Sequence, residues 1–212
     1  MLAIDHVVIA ATDPLKSAEQ FANKHNLKIT QGGKHDFWGT YNVLAYFQNQ
    51  SYIEWLSIFE QNTAEQSDNP LIQQLVNKLK YDGDGLFQYG LRTTAMDAFI
   101  EHFQMNNIPF VGPFQGKRQK PNGEDLTWRM LFPQHSLTMT PFLIEWGQAN
   151  LYGANPKAVN EQTLNILLNK HENLQLFHHI YQTTNTDQQI PLQNGQLSLQ
   201  ANDALSLTIS DD

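Results

Sequence analysis

The chain has 212 residues, of which 41% are hydrophobic and none is cysteine. This length is sufficient for one or two domains with a substantial core, and the lack of cysteine excludes disulfides, thiolate metal sites and thiol nucleophiles. The formal charge of −8 argues against binding to nucleic acid or to anionic membranes. The N-terminal segment does not resemble a signal peptide and no run approaches a membrane span, so we expect a cytoplasmic protein.

The N-terminal residues are typical of a strand followed by a helix. Residues 4–11 are rich in β-branched side chains, Asp13 is a helix cap, and Pro14 suits the first helical position. One helical face then carries Leu15, Ala18, Phe21 and Ala22.

A second segment, residues 87–103, repeats this plan. Thr94 is the predicted cap, and Met96, Phe99, Ile100 and Phe103 follow at helical spacing. The two segments align without a gap. In this alignment His6 corresponds to Gln88, at an offset of 82 residues.

Each half also ends in a strand with the same tripeptide, Ile-Glu-Trp. Its glutamates are Glu54 and Glu145, 91 residues apart, and a longer loop in the second half accounts for the larger offset. Two further strands fit between each helix and its Ile-Glu-Trp strand. The repeat therefore predicts an α+β fold with two tandem βαβββ modules, over residues 1–61 and 86–148.

The modules are joined by a predicted linker helix and turn over residues 62–85, in which apolar residues recur at helical spacing after Pro70. Residues 149–212 are predicted to form a small C-terminal α/β extension, with a helix near 174–181 and two strands separated by a turn at 201–203. This extension is either a degenerate third module or an edge addition.

Four polar residues take equivalent places in the two halves: His6, Glu54, Gln88 and Glu145. Side chains alternate along a strand, and this alternation predicts that all four share one concave face. Two converging carboxylates call for a cation between them. A set of imidazole, amide and carboxylate donors suits Zn²⁺, Ni²⁺, Co²⁺, Mn²⁺ or Fe²⁺, and we expect one such metal here.

Residues 1–148 resemble the glyoxalase-like group of the vicinal oxygen chelate superfamily. The resemblance is in the Asp-His-Val-Val first strand, in the Gly-Gly-Lys-His-x-x-Trp-Gly-Thr stretch at 32–40, and in the Tyr-Ile-Glu strand at 52–54. The second half adds a G-x-x-L-x-W segment at 123–128 and a Phe-Leu-Ile-Glu-Trp strand at 142–146. The resemblance implies a cupped mixed sheet with a metal at its centre, held by the same four residues.

The resemblance also implies a chemistry. A metal-bound substrate with adjacent oxygens would lose a proton to form a stabilised enediolate, and Glu54 or Glu145 would move that proton. His35 is expected at the cleft mouth as an acid, base or substrate contact, and Trp38 as a substrate contact. Arg92, four residues after Gln88, is expected to bind an acidic group of the substrate.

The alternative is a metal-free binding protein of the same fold, like the drug-sequestering members of the superfamily, because fold alone does not fix a reaction. Either function predicts a small-molecule partner. A chain that holds both modules completes a site as a monomer or as a homodimer.

Overall fold

A computed structural model describes residues 1–119, 125–135, 140–147, 156–169, 173–184, 189–200 and 205–211. The helices are α1 (Pro14–His25), α2 (Gln61–Glu65), α3 (Pro70–Tyr81), α4 (Met96–Met105) and α5 (Leu174–Tyr181). The strands of the main sheet are β1 (Ala3–Ala10), β2 (Thr30–His35), β3 (Thr40–Phe47), β4 (Tyr52–Ile58), β5 (Gly85–Arg92), β6 (Phe110–Gln119), β7 (Asp125–Pro133), β8 (Phe142–Trp146) and β9 (Val159–Asn160). Those of a second sheet are β10 (Thr163–Asn169), β11 (Gln189–Leu192), β12 (Gly195–Gln200) and β13 (Ser206–Ser210).

The main sheet is built from two halves that mirror each other. Its strand order is β2-β3-β4-β1-β5-β8-β7-β6, and β9 pairs with β3 outside this path. In each half the first strand runs parallel to the last one, and β1 and β5 meet antiparallel at the centre. The sheet curls into an open half-barrel, which confirms the predicted α+β class and the cupped mixed sheet.

Both faces of the main sheet are covered. One apolar core lies on the convex side and includes Val7, Trp55 and Phe103. The other lies on the concave side, where the linker helix α3 buries Leu71 and Leu75 against the sheet. This helix therefore closes part of the concavity, because an amphipathic helix packs its apolar face against a core.

The helix starts differ between the halves. Asp13 caps α1 as expected, since its carboxylate accepts a hydrogen bond from the backbone N–H of Lys16 at 3.0 Å. The predicted cap Thr94 is wrong. Helix α4 begins at Met96, whose N–H donates to Glu145 across the fold at 3.0 Å. A side chain from β8 thus replaces a local cap.

The C-terminal extension has the element order of a module but not its sheet. Strand β10, helix α5 and three further strands follow one another as β-α-β-β-β, yet the sheet order is β11-β12-β10-β13 and β10 runs antiparallel to β13. Asn194 ties this unit to β1 through hydrogen bonds with the backbone of Ile4. The predicted turn at 201–203 and the boundary at 148–149 lie outside the described residues.

Candidate functional site

The concave face holds a cleft with an empty volume of about 610 Å³, part of which is open to solvent. Strands β1, β3, β4, β6, β7 and β8 line it, together with the first turn of α3. Its walls are mainly aromatic and aliphatic. Trp128 packs between Trp38 and Trp146, with ring centroids 6.0 and 5.4 Å away. Such a surface favours a ligand with an apolar body.

A β-bulge places Asp5 and His6 on the same side of β1. Ile4 pairs with Leu91 and His6 pairs with Gly90, so Asp5 has no partner residue of its own on β5. A bulge interrupts the alternation of side chains along a strand. As a result, the Asp5 carboxylate lies 2.6 Å from Nδ1 of its neighbour His6, and both side chains are buried.

His6 lies between two carboxylates. Its Nε2 is 3.4 Å from Glu54, while Asp5 is in turn contacted by the indole N–H of Trp146 at 2.9 Å and by Arg92 at 3.5 Å. Burial lowers the pKa of His6, but the hydrogen bonds and charges of Asp5 and Glu54 outweigh it and raise that pKa to about 9. His6 is therefore a buried imidazolium at neutral pH.

Arg92 lies behind Asp5 rather than in the cleft. Its guanidinium donates to the backbone carbonyl of Gln50 at 3.0 Å and contacts Asp5, and it is not among the residues that line the cleft. The structure thus places it as a partner of the Asp5 carboxylate.

Glu54 forms the polar floor of the cleft. The amide of Asn42 donates to Oε1 at 2.5 Å, and the N–H of Gly33 fixes that amide by donating to its oxygen at 2.8 Å. Burial raises the pKa of Glu54, but hydrogen bonding and charge from His6, with smaller effects of His35 and Asn42, bring it below the ordinary value. Glu54 is thus ionised.

His35 and Trp38 both line the cleft; His35 precedes the short 3₁₀ turn Asp36–Trp38, and Trp38 ends it. The His35 ring contacts the edges of Trp38 and Trp128 at centroid distances of 5.9 and 6.0 Å, and its Nδ1 is 3.1 Å from the Thr40 hydroxyl. Burial lowers the pKa of His35, with smaller and partly opposed charge effects. Its imidazole is therefore neutral at pH 7.

Several cleft residues were given no role from the sequence, among them Tyr46, Tyr52 and Arg118. Tyr52 stacks on His6 at 4.4 Å and is paired with Tyr46 on the neighbouring strand, and the Tyr46 hydroxyl contacts Arg118. By composition, the basic cluster of Lys117, Arg118 and Lys120 is typical of a solvated loop, with a local anion-binding role as the alternative. Strand alternation from Phe114 was the available signal, because it places Arg118 on the concave face and Lys117, which pairs with Asp125, outside.

Gln88 is turned away from His6. It pairs with Val8 on the concave face, but its amide donates to Gln74 at 3.1 Å and to the carbonyl of Thr140 at 3.3 Å, while its oxygen accepts from the N–H of Tyr89. These groups line a different cleft.

Glu145 lies on the opposite face of the sheet. Strand β8 directs Ile144 and Trp146 into the cleft, so Glu145 points away from it and forms an ion pair with Arg129. In the first half the reverse holds, since Ile53 and Trp55 are in the convex core and Glu54 faces the cleft. The two Ile-Glu-Trp tripeptides therefore face opposite ways.

The second half presents Gly90, Phe142 and Ile144 where the first half presents His6, Tyr52 and Glu54. Gly90 pairs with Phe142 as His6 pairs with Tyr52, and Ile144 is two residues further along, as Glu54 is. Within the residues that the structure describes, no group of three or more His, Cys, Asp or Glu side chains could hold a metal ion. The arrangement does not fit a four-ligand metal centre.

Comparisons with known proteins agree with this fold. Residues 4–189 match the family model described as a glyoxalase-like domain, whereas a search of curated proteins finds no match. A hypothetical protein from Staphylococcus aureus is 18% identical, with a TM-score of 0.74 over 95% of this chain and 87% of that one.

More distant structures include methylmalonyl-CoA epimerases. One from Streptomyces coelicolor, in complex with 2-nitronate-propionyl-CoA, is 16% identical with a TM-score of 0.48, over 69% of this chain and 97% of that one. One from Mycobacterium tuberculosis is 17% identical with a TM-score of 0.44, over 69% and 88%. None of the described helices is long and apolar enough to span a membrane. Because the family model covers most of its length, the chain belongs to the glyoxalase-like domain family.

Proposed function

We propose that this glyoxalase-like protein binds a small molecule in the concave cleft without a resident four-ligand metal. The observation that supports this most is the apolar contribution of the second half. Gly90, Phe142 and Ile144 stand where two further ligands would have to lie, and Glu145 is held on the other face by Arg129. A Cβ at position 90 would already lie 2.8 Å from the Phe142 ring, so even a small side chain there needs Phe142 to move.

The polar groups of the first half do not need a metal. His6 donates to one carboxylate from each ring nitrogen, and Glu54 accepts from His6 and Asn42. The buried carboxylates are therefore compensated by internal cations, Asp5 by His6 and Arg92 and Glu54 by His6.

A second candidate is an enzyme that moves a proton on a substrate with adjacent oxygens. The position of Glu54 and His35 favours it, since both line the same cleft and one is ionised while the other is neutral. The neutral imidazole of His35 is the better base, because the hydrogen bonds that Glu54 accepts lower the basicity of the Glu54 carboxylate. Dependence on Zn²⁺, Ni²⁺, Co²⁺, Mn²⁺ or Fe²⁺ is proposed only for this enzyme function. Glu145 is not proposed as a catalytic residue, because it faces away from the cleft.

The test measures metal and ligand binding on the same preparations. The metal content of the purified protein is measured by mass spectrometry before any chelator is added. The protein is then dialysed against a chelator, and Zn²⁺, Ni²⁺ and Mn²⁺ are titrated by calorimetry. A fragment library is then screened by ligand-observed NMR. We expect far less than one metal per chain and fragments that bind the metal-free protein and are lost in a Leu56→Trp variant, which narrows the cleft.

The matched variants are Glu54→Gln and Glu145→Gln. One tightly bound metal per chain that is lost in Glu54→Gln but kept in Glu145→Gln would replace the proposal with the metal-dependent enzyme. Loss in both variants would restore the four-ligand centre predicted from the sequence. Fragment binding that requires added metal would also contradict the proposal.

A further inference from the structure

We infer that the ligand of the cleft is a small, flat organic acid with one negative charge, bound with its charged group at Arg118. This inference rests on the proposed function and adds the chemical class of the ligand. It follows from the shape of the walls, from the charge of Arg118 and from the way in which the carboxylates of the floor are already paired.

The walls favour a flat, apolar body. Trp38, Trp128 and Trp146 form a continuous aromatic side, and aliphatic residues of β4 and α3, such as Leu56 and Leu71, face the same space. Aromatic rings bind flat molecules by edge and face contacts that bury area at little entropic cost. A bulky or strongly hydrated ligand would lose these contacts.

Arg118 supplies a cation for which the described residues give no acidic partner. It is half-buried, its neighbour in the cleft is the Tyr46 hydroxyl, and the ion pairs found in the described part of the chain do not include it. A guanidinium in an apolar cleft favours an anion with oxygen acceptors, because that pairing replaces lost hydration with charge-assisted hydrogen bonds.

The position of Arg118 is fixed by close packing. Its Cδ would lie only 3.1 Å from a Cβ placed on Gly33, so the glycine leaves the space in which the side chain lies. The same glycine orients Asn42 and, through it, Glu54. This short stretch of β2 therefore contacts both the cationic and the anionic side of the cleft.

The floor argues against a cationic ligand. Aromatic rings can bind a cation through their quadrupoles, but Arg118 lines the same cleft and would repel one. Glu54 already faces the ring of His6, whose two nitrogens both lie against carboxylates and therefore both carry hydrogens. With Arg92 on Asp5, Arg118 is the charged side chain of the cleft that has no ion pair with another described residue.

The experiment compares three probes that share one flat body: cinnamate, cinnamamide and cinnamylammonium. Each is titrated into metal-free wild-type protein by calorimetry up to millimolar concentration, at a pH near 7. We expect cinnamate to bind about tenfold or more tightly than the neutral amide, and the cation to bind most weakly. Arg118→Met should remove the preference for cinnamate, and Arg118→Lys should keep part of it.

Lys117→Gln is the matched control, because it removes an adjacent charge that points outward to Asp125, and it should leave the preference unchanged. Tightest binding by the cation or the amide, an unchanged preference in Arg118→Met, or no binding by any probe overturns the inference. Equal binding of the three probes without metal overturns the inference about an acidic ligand but leaves the proposed metal-free binding function intact. The proposed function fails separately, if probes bind only after metal is added.

Discussion

The two halves of the sheet carry the same Ile-Glu-Trp tripeptide, and they use it in opposite ways. In β4, Glu54 faces the cleft between a buried isoleucine and tryptophan that pack on the helix side. In β8, the isoleucine and tryptophan face the cleft, and Glu145 faces the helices. A shift of one residue reverses the face of every side chain in a strand.

A repeated fold can therefore retain a sequence pattern although the acidic and histidine residues of its site come from one half. The first half supplies Asp5, His6 and Glu54, whereas the second half supplies most of the aromatic wall and the cation Arg118. Glu145 still has a structural use, since it holds Arg129 and the start of α4. The predictions below test whether the halves really differ in this way.

The largest expected effect is on Phe142, which is fully buried against His6 and Phe132. Phe142→Ala leaves an enclosed cavity at the centre of the apolar wall and should lower the free energy of unfolding by about 3–5 kcal/mol. Tyr52→Ala, at the equivalent place in the first half, should cost clearly less, because that side chain borders the open cleft. Urea unfolding of both variants measures the contrast.

Phe37→Ala is the control, since Phe37 is 85% exposed and its removal should leave the midpoint unchanged. An equal or larger cost for Tyr52→Ala than for Phe142→Ala would contradict the view that the second half is the packed wall.

Sequence alone was sufficient for the fold, and it singled out four residues that lie together in the structure. The repeat predicted both modules, and the linker helix was visible in its apolar spacing after Pro70. His6, His35, Trp38 and Glu54 all line one cleft.

The side-chain directions of Asp5, Glu145 and Arg118 depended on strand register, which a single sequence does not show. The bulge at Asp5 and the reversed face of β8 follow from how β1 and β8 pair with their neighbours, and each changes side-chain direction without changing strand propensity. Arg118 was hidden for a related reason, because a basic run in a polar segment has the same composition whether it is a loop or an inward-facing strand.

The next effect is a dependence of stability on pH that comes from the first half. The folded pKa of His6 is about 9 against an ordinary value of 6.5, so the protonated ring stabilises the fold fully below pH 6.5. This contribution is lost as the pH rises from 6.5 to 9, and it amounts to about 3 kcal/mol. Urea unfolding at pH 6, 7, 8 and 9 measures the decline.

His6→Asn should abolish this decline, and Glu54→Gln should reduce it because one of the two carboxylates is lost. Glu145→Gln should leave the decline as in the wild type. A decline of equal size in His6→Asn would show that another group titrates. The pH dependence of stability would then not come from His6 and its two carboxylates.

The smallest effect is expected at Glu145, and it separates the halves most directly. Glutamine retains an oxygen that accepts from the N–H of Met96, so Glu145→Gln loses the ion pair with Arg129 but keeps the cap. The two side chains are 20% and 28% exposed, so solvent screens the pair and the loss should be about 1 kcal/mol or less, shrinking further in 1 M NaCl. Glu54→Gln should cost more and respond little to salt, because it leaves the buried imidazolium of His6 with a neutral partner. If the two variants lower the free energy of unfolding equally and show the same salt dependence, the two glutamates occupy equivalent environments. The assignment of Glu54 and Glu145 to opposite faces of the sheet would then be wrong.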